Sequence, residues 1–375
     1  MENTPEKHPL NAKKIALFVL YGAVALCLLF AVLSFNDLPA IFDALLTVRH
    51  EYVALALLSI LVYMAMYPLS LCILAKARGV DVSTPATYVI GSTEHFFNCI
   101  TPLATGGQPF QAHSFYRMKV KISESTGLLL TNLLIFMIAT TLYSLVGLFY
   151  WKELTAHIDT VWKIIIIVGY SLNLLVTVLI FLLGAWKRLR EWVARAVILL
   201  SRFKPLRQIE RKAESLRLYF EQVQEAFADL TRKKWHFLLA LITKLVAFAF
   251  LYGSTYFAVL SMGVPADADE IPLILFGASF AITAVGFVPT PGASGGVEGA
   301  AGQVFKSVII VLLGTSVIPT AHVIANGVML IWRLASYYFV IAVSLLFYIG
   351  LEVYLRKNEK KSAKRKEAPK CQVVI

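Results

Sequence analysis

The sequence predicts an all-α integral membrane protein with six full spans and two re-entrant helical hairpins arranged as an inverted repeat. Three observations carry this prediction: the composition, the length of the apolar runs, and a helix-breaking motif that occurs twice. Hydrophobic residues make up 58% of the chain and charged residues only 15%, whereas a soluble globular protein carries about 25% charged residues. Several runs reach the roughly 20 apolar residues that cross a bilayer. The composition therefore excludes an ordinary soluble enzyme.

The repeated motif reads T-P-L-A-T-G-G at 101–107 and T-P-G-A-S-G-G at 290–296, with five of the seven positions identical. Proline removes a backbone donor and ends a helix, and paired glycines allow backbone shapes that other residues resist. Because each copy stands among apolar residues, we expect a break between two half helices in both places. The half helices are predicted at 84–100 and 109–118 for the first hairpin, and at 271–288 and 297–313 for the second.

The remaining apolar runs predict six full spans, at about 14–35, 52–75, 125–150, 161–186, 235–262 and 317–348. No A-x-A-like cleavage site follows the first run, so we expect an anchor that stays in the chain. The resulting division is a cytoplasmic lead (1–13), a first membrane unit (14–160) with hairpin 84–118, a second unit (161–350) with a cytoplasmic insertion (187–234) and hairpin 271–313, and a basic cytoplasmic tail (351–375). From Arg356 the tail is predicted to be disordered and attracted to anionic lipid.

Basic residues predict the orientation, because Lys and Arg flanking membrane spans stay on the cytoplasmic side. Basic segments lie at 76–78, 117–121, 187–234 and 356–370. All four share the side of the N-terminus only if each broken segment returns to the side it came from. The first hairpin then enters from the cytoplasm and the second from outside. Two units of opposite orientation are typical of transporters, and we expect them in the plasma membrane with both termini cytoplasmic. A duplicated scaffold without transport is the alternative.

The insertion carries thirteen Lys/Arg against six Asp/Glu, and from Leu206 to Leu230 its apolar residues recur at helical spacing. This pattern predicts an amphipathic helix that lies on the chain's own cytoplasmic surface or binds anionic lipid. Nucleic-acid binding is not expected, since the orientation of the spans already explains the basic charge. The four cysteines lack metal-ligand or redox spacing, so no metal, cofactor or catalytic residue is predicted.

The two breaks are the predicted binding site. Irregular backbone at membrane depth survives only inside protein or facing a wet cavity, because unpaired polar groups are costly there. The start of a half helix also favours an anion, and the phosphate of a phospholipid headgroup is the obvious anion in a membrane. We therefore expect a headgroup site where the two hairpin tips meet. The alternative is that the glycines only allow the tips to pack on each other.

Charged residues inside apolar segments add further candidates, since a charge near the bilayer centre costs about 2.5–3.5 kcal/mol. Glu298 and Arg333 either belong to the working site or pair as a structural lock, and Glu94 is open to both interpretations. A carboxylate there would bind a cationic headgroup or carry a coupling proton. His95, His322 and Lys244 are expected to be structural or interfacial. The predicted lipid-binding residues are Glu94, Thr101, Pro102, Gly106, Gly107, Pro289, Thr290, Pro291, Gly292, Gly295, Gly296, Glu298 and Arg333.

These motifs resemble those of the lysylphosphatidylglycerol synthase/flippase transmembrane family. G-F-V-P-T-P-G-A-S-G-G-V-E-G at 286–299 is similar to its P-x-P-G-x-x-G-x-x-E signature, T-P-L-A-T-G-G-Q-P at 101–109 resembles its first signature, and Arg333-Leu334 matches its arginine position. The resemblance covers about 14–350. It places the family's motif positions on Pro102, Gly106, Gly107, Pro289, Pro291, Gly292, Gly295, Glu298 and Arg333.

The resemblance implies a role in lipid metabolism and cationic-peptide resistance. Full-length members transfer lysine from lysyl-tRNA to phosphatidylglycerol in a C-terminal domain, and their membrane part moves the product between leaflets. Because this chain ends at Ile375, soon after its last span, we expect a flippase-like part without synthase activity. The alternatives are a phosphatidylglycerol lysyltransferase, alone or with a separate soluble synthase, and a non-catalytic scaffold. Phospholipid headgroups are the expected partners, and a homo-oligomer is a further hypothesis.

Overall fold

A computed structural model of the chain describes residues 46–186, 232–314 and 318–367, with a few isolated positions between 188 and 228. Within these residues the structure is helical, and it contains no β-strand. The predicted first span at 14–35 and the amphipathic helix at 206–230 lie outside the described residues, apart from isolated positions of the latter.

The helices are α1 (His50–Met66), α2 (Leu69–Arg78), α3 (Thr84–Ile100), α4 (Gly107–Arg117), α5 (Ile122–Gly147), α6 (Trp151–Thr155), α7 (Thr160–Ala185), α8 (Lys234–Ser261), α9 (Ile271–Val285), α10 (Gly296–Leu313), α11 (Ile318–Arg333) and α12 (Val340–Glu367). Short 3₁₀ turns (Leu148–Tyr150 and Ala268–Glu270) precede α6 and α9, and a π-helical segment (Leu334–Phe339) joins α11 to α12.

Seven helical stretches among the described residues are long and apolar enough to cross a membrane: His50–Arg78, Ile122–Thr155, Thr160–Leu182, Lys234–Ser261, Ala268–Val285, Gly296–Leu313 and Thr320–Asn358. The predicted class, an all-α multi-span membrane protein, is therefore confirmed. Each half of the second hairpin is long enough to cross alone, whereas α3 has 17 residues and α4 only 11. The two hairpins thus differ in length, and their re-entry and the inverted repeat remain predictions.

The predicted second span is interrupted at Tyr67–Pro68, which the sequence analysis treated as continuous helix. Proline cannot donate to the preceding turn, so α1 ends at Met66 and α2 begins at Leu69. Gly79 then ends α2 in the left-handed region, with φ of 73°, a conformation that glycine adopts without a Cβ penalty. The interruption matters because it leaves the Tyr67 carbonyl available to a side chain from another helix.

Helix α8 is the central element of the described structure. It packs along α1 and contacts α2, α5, α9 and α11. Aromatic side chains fill the space around it: Phe248 and Tyr252 of α8 contact Tyr63, Tyr67 and Tyr143. The first hairpin, in contrast, packs against the last helix, since α3 contacts α12. The halves of each hairpin lie against one another, α3 on α4 and α9 on α10.

The last helix continues much further than the predicted span. Helix α12 extends to Glu367. The expectation of a disordered tail from Arg356 is therefore wrong for residues 356–367. A helix that is already nucleated adds residues readily, and Lys, Arg and Glu are good helix formers. Arg356 also pairs with Glu352 one turn earlier, at 3.5 Å, a spacing that supports helix.

Candidate functional site

The two break loops meet in the structure. A short antiparallel backbone bridge joins Pro102 to Pro291. Because proline has no N–H, neither proline donates a hydrogen bond in this bridge. The two prolines are the second residues of the two motif copies, so equivalent positions of the repeat face each other. The contact that the sequence analysis expected between the hairpin tips is therefore present.

The two loops also share their backbone conformation. Leu103 and Ala104 have φ of 56° and 52°, and the equivalent Gly292 and Ala293 have φ of 61° and 51°. The hydrogen bonds repeat as well. In the first loop, Ala104 N–H donates to the Thr101 carbonyl and Thr105 N–H to Pro102; in the second, Ala293 donates to Thr290 and Ser294 to Pro291. The hydroxyls of Thr105 and Ser294 bond the same two proline carbonyls. The motif copies therefore fold into the same pair of consecutive turns.

The copies differ at their third residue, Leu103 against Gly292. A non-glycine residue in the left-handed region carries a strain of about 1–2 kcal/mol, and Leu103 carries it with its side chain largely exposed. Gly292 has a second constraint, because a Cβ there would stand 2.2 Å from the Tyr337 ring. Tyr337 also donates its hydroxyl to the Cys99 carbonyl at 3.0 Å. Tyr337 therefore contacts both the second loop and the end of α3, the helix that precedes the first loop.

Glu298 and Arg333 form a buried ion pair beside the second loop. Nε and Nη2 of Arg333 both lie 2.7 Å from Oε1 of Glu298, and the two side chains are only 12% and 8% exposed for Glu298 and Arg333. Arg333 Nη2 also donates to the Gly292 carbonyl at 3.3 Å and the Ser294 hydroxyl at 3.4 Å. Its guanidinium lies 4.3 Å from the centre of the Tyr337 ring. The structural lock between the second hairpin and the last span is thus present.

The helix starts at the breaks already have protein partners. Gly106 N–H donates to Thr101 Oγ1 and Gly107 N–H to Asn98 Oδ1, both at 2.9 Å. Gly295 N–H donates to Glu298 Oε2 at 2.6 Å. These amides are the groups that a phosphate would use at a helix N-terminus. Because these amides already have partners, the alternative in which the glycines allow close packing is favoured. Arg333, rather than the amides, is then the candidate group for a phosphate.

Close packing also explains three of the four paired glycines. A Cβ at Gly106 would approach Thr101 to 2.6 Å, one at Gly107 would approach Asn98 to 2.6 Å, and one at Gly296 would approach Val288 to 2.5 Å. Gly295 has open space around it but a φ of 86°, which a side chain would strain.

Glu94 lies in a second polar group, beneath the first loop. Tyr67 donates its hydroxyl to Glu94 Oε1 and Gln111 its amide to Oε2, both at 3.3 Å. Lys244 of α8 donates to the Tyr67 carbonyl at 3.2 Å, with its ammonium 3.2 Å from the centre of the Tyr67 ring. The His95 ring contacts the same ring at a tilt of 52°, 4.3 Å from centroid to centroid. We call Glu94, His95, Tyr67, Gln111 and Lys244 the Glu94 cluster.

The remaining predicted residues lie in or near the loops, or at the surface. Thr101 donates its hydroxyl to the Phe97 carbonyl, and Thr290 donates to the Ser294 carbonyl, both at 2.7 Å. Pro289 and His322 are exposed. Lys244 is fully buried, which favours its structural alternative. In the part of the chain that the structure describes, no cluster of His, Cys, Asp or Glu could hold a metal ion.

Sequence reasoning missed four polar partners: Tyr67, Asn98, Gln111 and Tyr337. Tyr337 follows Arg333 by four residues, the spacing at which helical side chains meet, so this signal was readable. Gln111 and Asn98 are amides inside the predicted half helices, where an uncharged polar side chain needs a partner. Tyr67 precedes the only proline of its span, which marks the interruption.

A third polar contact joins Asp159, in the connection between two spans, to the middle of α10. Asp159, just before α7, accepts hydrogen bonds from Lys306 at 3.0 Å and Gln303 at 2.8 Å, both on α10. The hydrogen bond from Lys306 lowers the pKa of Asp159 from its ordinary value. The Asp159 side chain is 63% exposed, so this contact is a peripheral clamp between α7 and α10.

The helices and buried ion pair define a multi-span α-helical membrane protein with polar groups inside its membrane segments. A family model described as "Lysylphosphatidylglycerol synthase TM region" matches residues 14–344, and the chain belongs to that family. No curated protein matches the chain in sequence. The family assignment that the motifs predicted is thus confirmed.

Proposed function

We propose that this protein moves a phospholipid between the leaflets of the plasma membrane, with lysylphosphatidylglycerol as the first candidate lipid. One observation carries the proposal: equivalent residues of the two motif copies, Pro102 and Pro291, meet tip to tip. In an inverted repeat the two tips come from opposite membrane faces, and their meeting point is where transporters bind substrate. The family description, which names lysylphosphatidylglycerol, points to a lipid as that substrate.

The length of α4 supports a meeting point near the bilayer middle. Its 11 residues span about 16 Å at 1.5 Å per residue, roughly half of a hydrocarbon core about 30 Å thick. Arg117 at its end pairs with Glu352 of α12, in the basic region that we place at the cytoplasmic surface. A first hairpin anchored there re-enters from the cytoplasm and ends at mid-depth. The second loop, joined to it, lies at the same depth.

Arg333 is the group best suited to a headgroup phosphate. A guanidinium binds phosphate through two parallel hydrogen bonds, and Arg333 is held beside the tips by Glu298, Gly292 and Ser294. In the proposal, lipid phosphate replaces the Glu298 carboxylate on Arg333. Glu298 then retains the Gly295 amide as its partner. Arg333 keeps one anionic partner in this exchange, whereas the Glu298 carboxylate is left without a cation, so headgroup binding must offset that cost.

The test is leaflet exchange in vesicles. Purified full chain is reconstituted with fluorescent phosphatidylglycerol, and the fraction of label reachable from outside is followed in time. We expect exchange well above that of protein-free vesicles, and loss of most of this excess in Arg333→Ala and Glu298→Gln. Lys306→Gln is the matched control, because it breaks an ion pair on the same helix α10 away from the tips, and it should exchange lipid like the wild type.

Exchange no faster than in protein-free vesicles would refute lipid movement, and unchanged exchange in both tip variants would refute the site. Lipid extracts separate movement from synthesis. Deletion of the gene should reduce outward display of the lysyl-lipid and leave its total amount unchanged. Loss of the lipid itself would favour the lysyltransferase alternative.

A further inference from the structure

The Glu94 cluster brings a carboxylate, an ammonium, an imidazole, an amide and a phenol into one buried place. Its members come from α3 (Glu94 and His95), α4 (Gln111), α8 (Lys244) and the end of α1 (Tyr67). All five are buried, and Lys244 and Gln111 completely so. An ionisable side chain inside a membrane segment is expensive and is typically functional. The proposed lipid site at the tips does not use any of these groups directly.

Hydrogen bonding within the cluster is incomplete. Gln111 Oε1 and His95 Nε2 are buried and have no hydrogen-bond partner among the described residues. His95 as a whole is only 8% exposed. A purely structural cluster is expected to satisfy such atoms, because each orphan costs about 1–3 kcal/mol. One unpaired atom belongs to Gln111, which donates to Glu94, and the other belongs to His95, which follows Glu94 in the sequence. The cluster therefore has spare capacity to bond something at Glu94.

The neighbours of Glu94 can serve both of its protonation states. When ionised, its two oxygens accept hydrogen bonds from Tyr67 and Gln111. When Oε1 is protonated, its O–H can donate to the Tyr67 hydroxyl 3.3 Å away, while Gln111 Nε2 keeps its bonds to Oε2 and to the Ile90 carbonyl. The Tyr67 hydroxyl can donate or accept.

We propose that the Glu94 cluster is a proton-binding site that couples lipid movement to the transmembrane proton gradient. This inference rests on the proposed function. One proton adds to the Glu94 carboxylate on one side of the membrane and leaves on the other. No bond other than this O–H forms or breaks. The titratable groups that interact with Glu94 are Tyr63 and Tyr67 from α1 and its end and Lys244 from α8. His95 follows Glu94 in α3 and interacts with Lys244, and Cys99 and Tyr252 interact with Tyr63.

The cluster is placed to transmit the change to the tips. A Cβ at Gly107, the first residue of α4, would stand 2.7 Å from Glu94 Cγ, so Glu94 supports the start of the second half helix. Lys244 belongs to α8, which also packs on α9 of the second hairpin. Protonation of Glu94 leaves Lys244 without its anionic neighbour and can reverse the Tyr67 bond that ties the end of α1 to α3. Both hairpins therefore contact an element that responds to the proton.

The competing explanation is that Lys244 only caps the interrupted second span, since its ammonium bonds the Tyr67 carbonyl at the end of α1, where a cation is favoured. The test sets a pH difference of about one unit across the vesicles described above. One proton per lipid sustains at most about a tenfold leaflet asymmetry of the label, because about 1.4 kcal/mol is a factor of ten. A protein that merely lets lipid equilibrate gives a ratio of one.

We expect wild type and Glu94→Asp to approach the tenfold limit, and a protonophore to abolish the asymmetry. Glu94→Gln should still exchange lipid, but the labelled lipid should reach equal amounts in the two leaflets. The control Glu51→Gln replaces an exposed carboxylate and should match the wild type. A wild-type ratio of one with exchange above that of protein-free vesicles overturns the proton site and leaves lipid movement standing. Absence of exchange overturns both.

A second measurement tests the proposal without the Glu94→Gln variant, in case that variant fails to fold. Infrared spectra of purified wild type, recorded as pH is varied, should contain a protonated-carboxyl band that Glu94→Asp shifts. A spectrum in which Glu94→Asp moves no titrating band overturns the proposal.

Discussion

Breaking the Glu298–Arg333 pair should destabilise the protein strongly. Arg333→Ala removes two bonds of 2.7 Å to Oε1 and the two weaker bonds to the second loop. Glu298, only 12% exposed, then keeps a single donor, the Gly295 amide. Removing one partner of a buried ion pair costs about 3–5 kcal/mol, mostly because the other charge is left unpaired. Glu298→Gln leaves a neutral amide and should restore part of that loss in the double variant.

A double-mutant cycle in mixed micelles measures this, with the free energy of unfolding determined for wild type, Arg333→Ala, Glu298→Gln and the double variant. We expect a coupling energy of about 2 kcal/mol, within the range of about 0.5–3 kcal/mol for contacting residues. The Asp159–Lys306 pair is the matched control, since Asp159 is 63% exposed and exposed pairs couple by about 0–1 kcal/mol. Equal coupling energies for the two pairs would refute the buried lock.

Three further perturbations test the tips and the periphery. Leu103→Gly should be neutral or stabilise the protein by up to about 1 kcal/mol, since it removes left-handed strain but adds unfolded-state entropy. Gly292→Leu should destabilise the protein strongly, because its Cβ would collide with the Tyr337 ring. Thermal unfolding of the two variants measures this difference, and equal effects would contradict the loop geometry. Tyr337→Phe should cost about 1 kcal/mol through the lost hydrogen bond to the first hairpin, and an unchanged free energy of unfolding would show that bond to be absent. The pKa of Asp159 is lowered in the folded state, so its contribution to stability is present above its unfolded pKa and is lost as pH falls through the folded pKa. The melting-temperature difference between wild type and Asp159→Asn should therefore shrink as the pH falls below 3.8 and vanish only below the lowered pKa of the folded state, and a difference that grows in acid would reverse the assigned sign.

The sequence was most informative where backbone chemistry is local. A proline close to paired glycines within an apolar run interrupts a helix, so the breaks could be placed, and α3 has the bounds predicted for its half helix. The Glu298–Arg333 pair was also foreseeable as one of two alternatives, because few charges occur at membrane depth and each needs a partner.

The Glu94 cluster could not be assembled in the same way. Helix α8 is apolar on every side, so nothing in its pattern indicates that Lys244 faces Tyr67. Which face meets which neighbour is decided by packing of the whole helix set, and for α8 this includes α1, α2 and α5. Pro68 was overlooked because the apolar run continues through it. The charge of the tail does not predict its helix, because Lys and Arg occur in disordered segments as well as in helices, and here the helix propagates from the preceding span.

The most direct test of the central claim is leaflet exchange through a cross-linked pair of tips. Residues paired across an antiparallel bridge have Cα atoms about 4.5–5.5 Å apart, within the range a disulfide requires, so Pro102→Cys with Pro291→Cys should cross-link on oxidation in a background without the four native cysteines. We predict that the reduced variant exchanges labelled phosphatidylglycerol faster than protein-free vesicles, that oxidation stops this exchange, and that reduction restores it. Failure to cross-link, or exchange that continues unchanged in the fully cross-linked protein, would contradict a lipid pathway between the two tips.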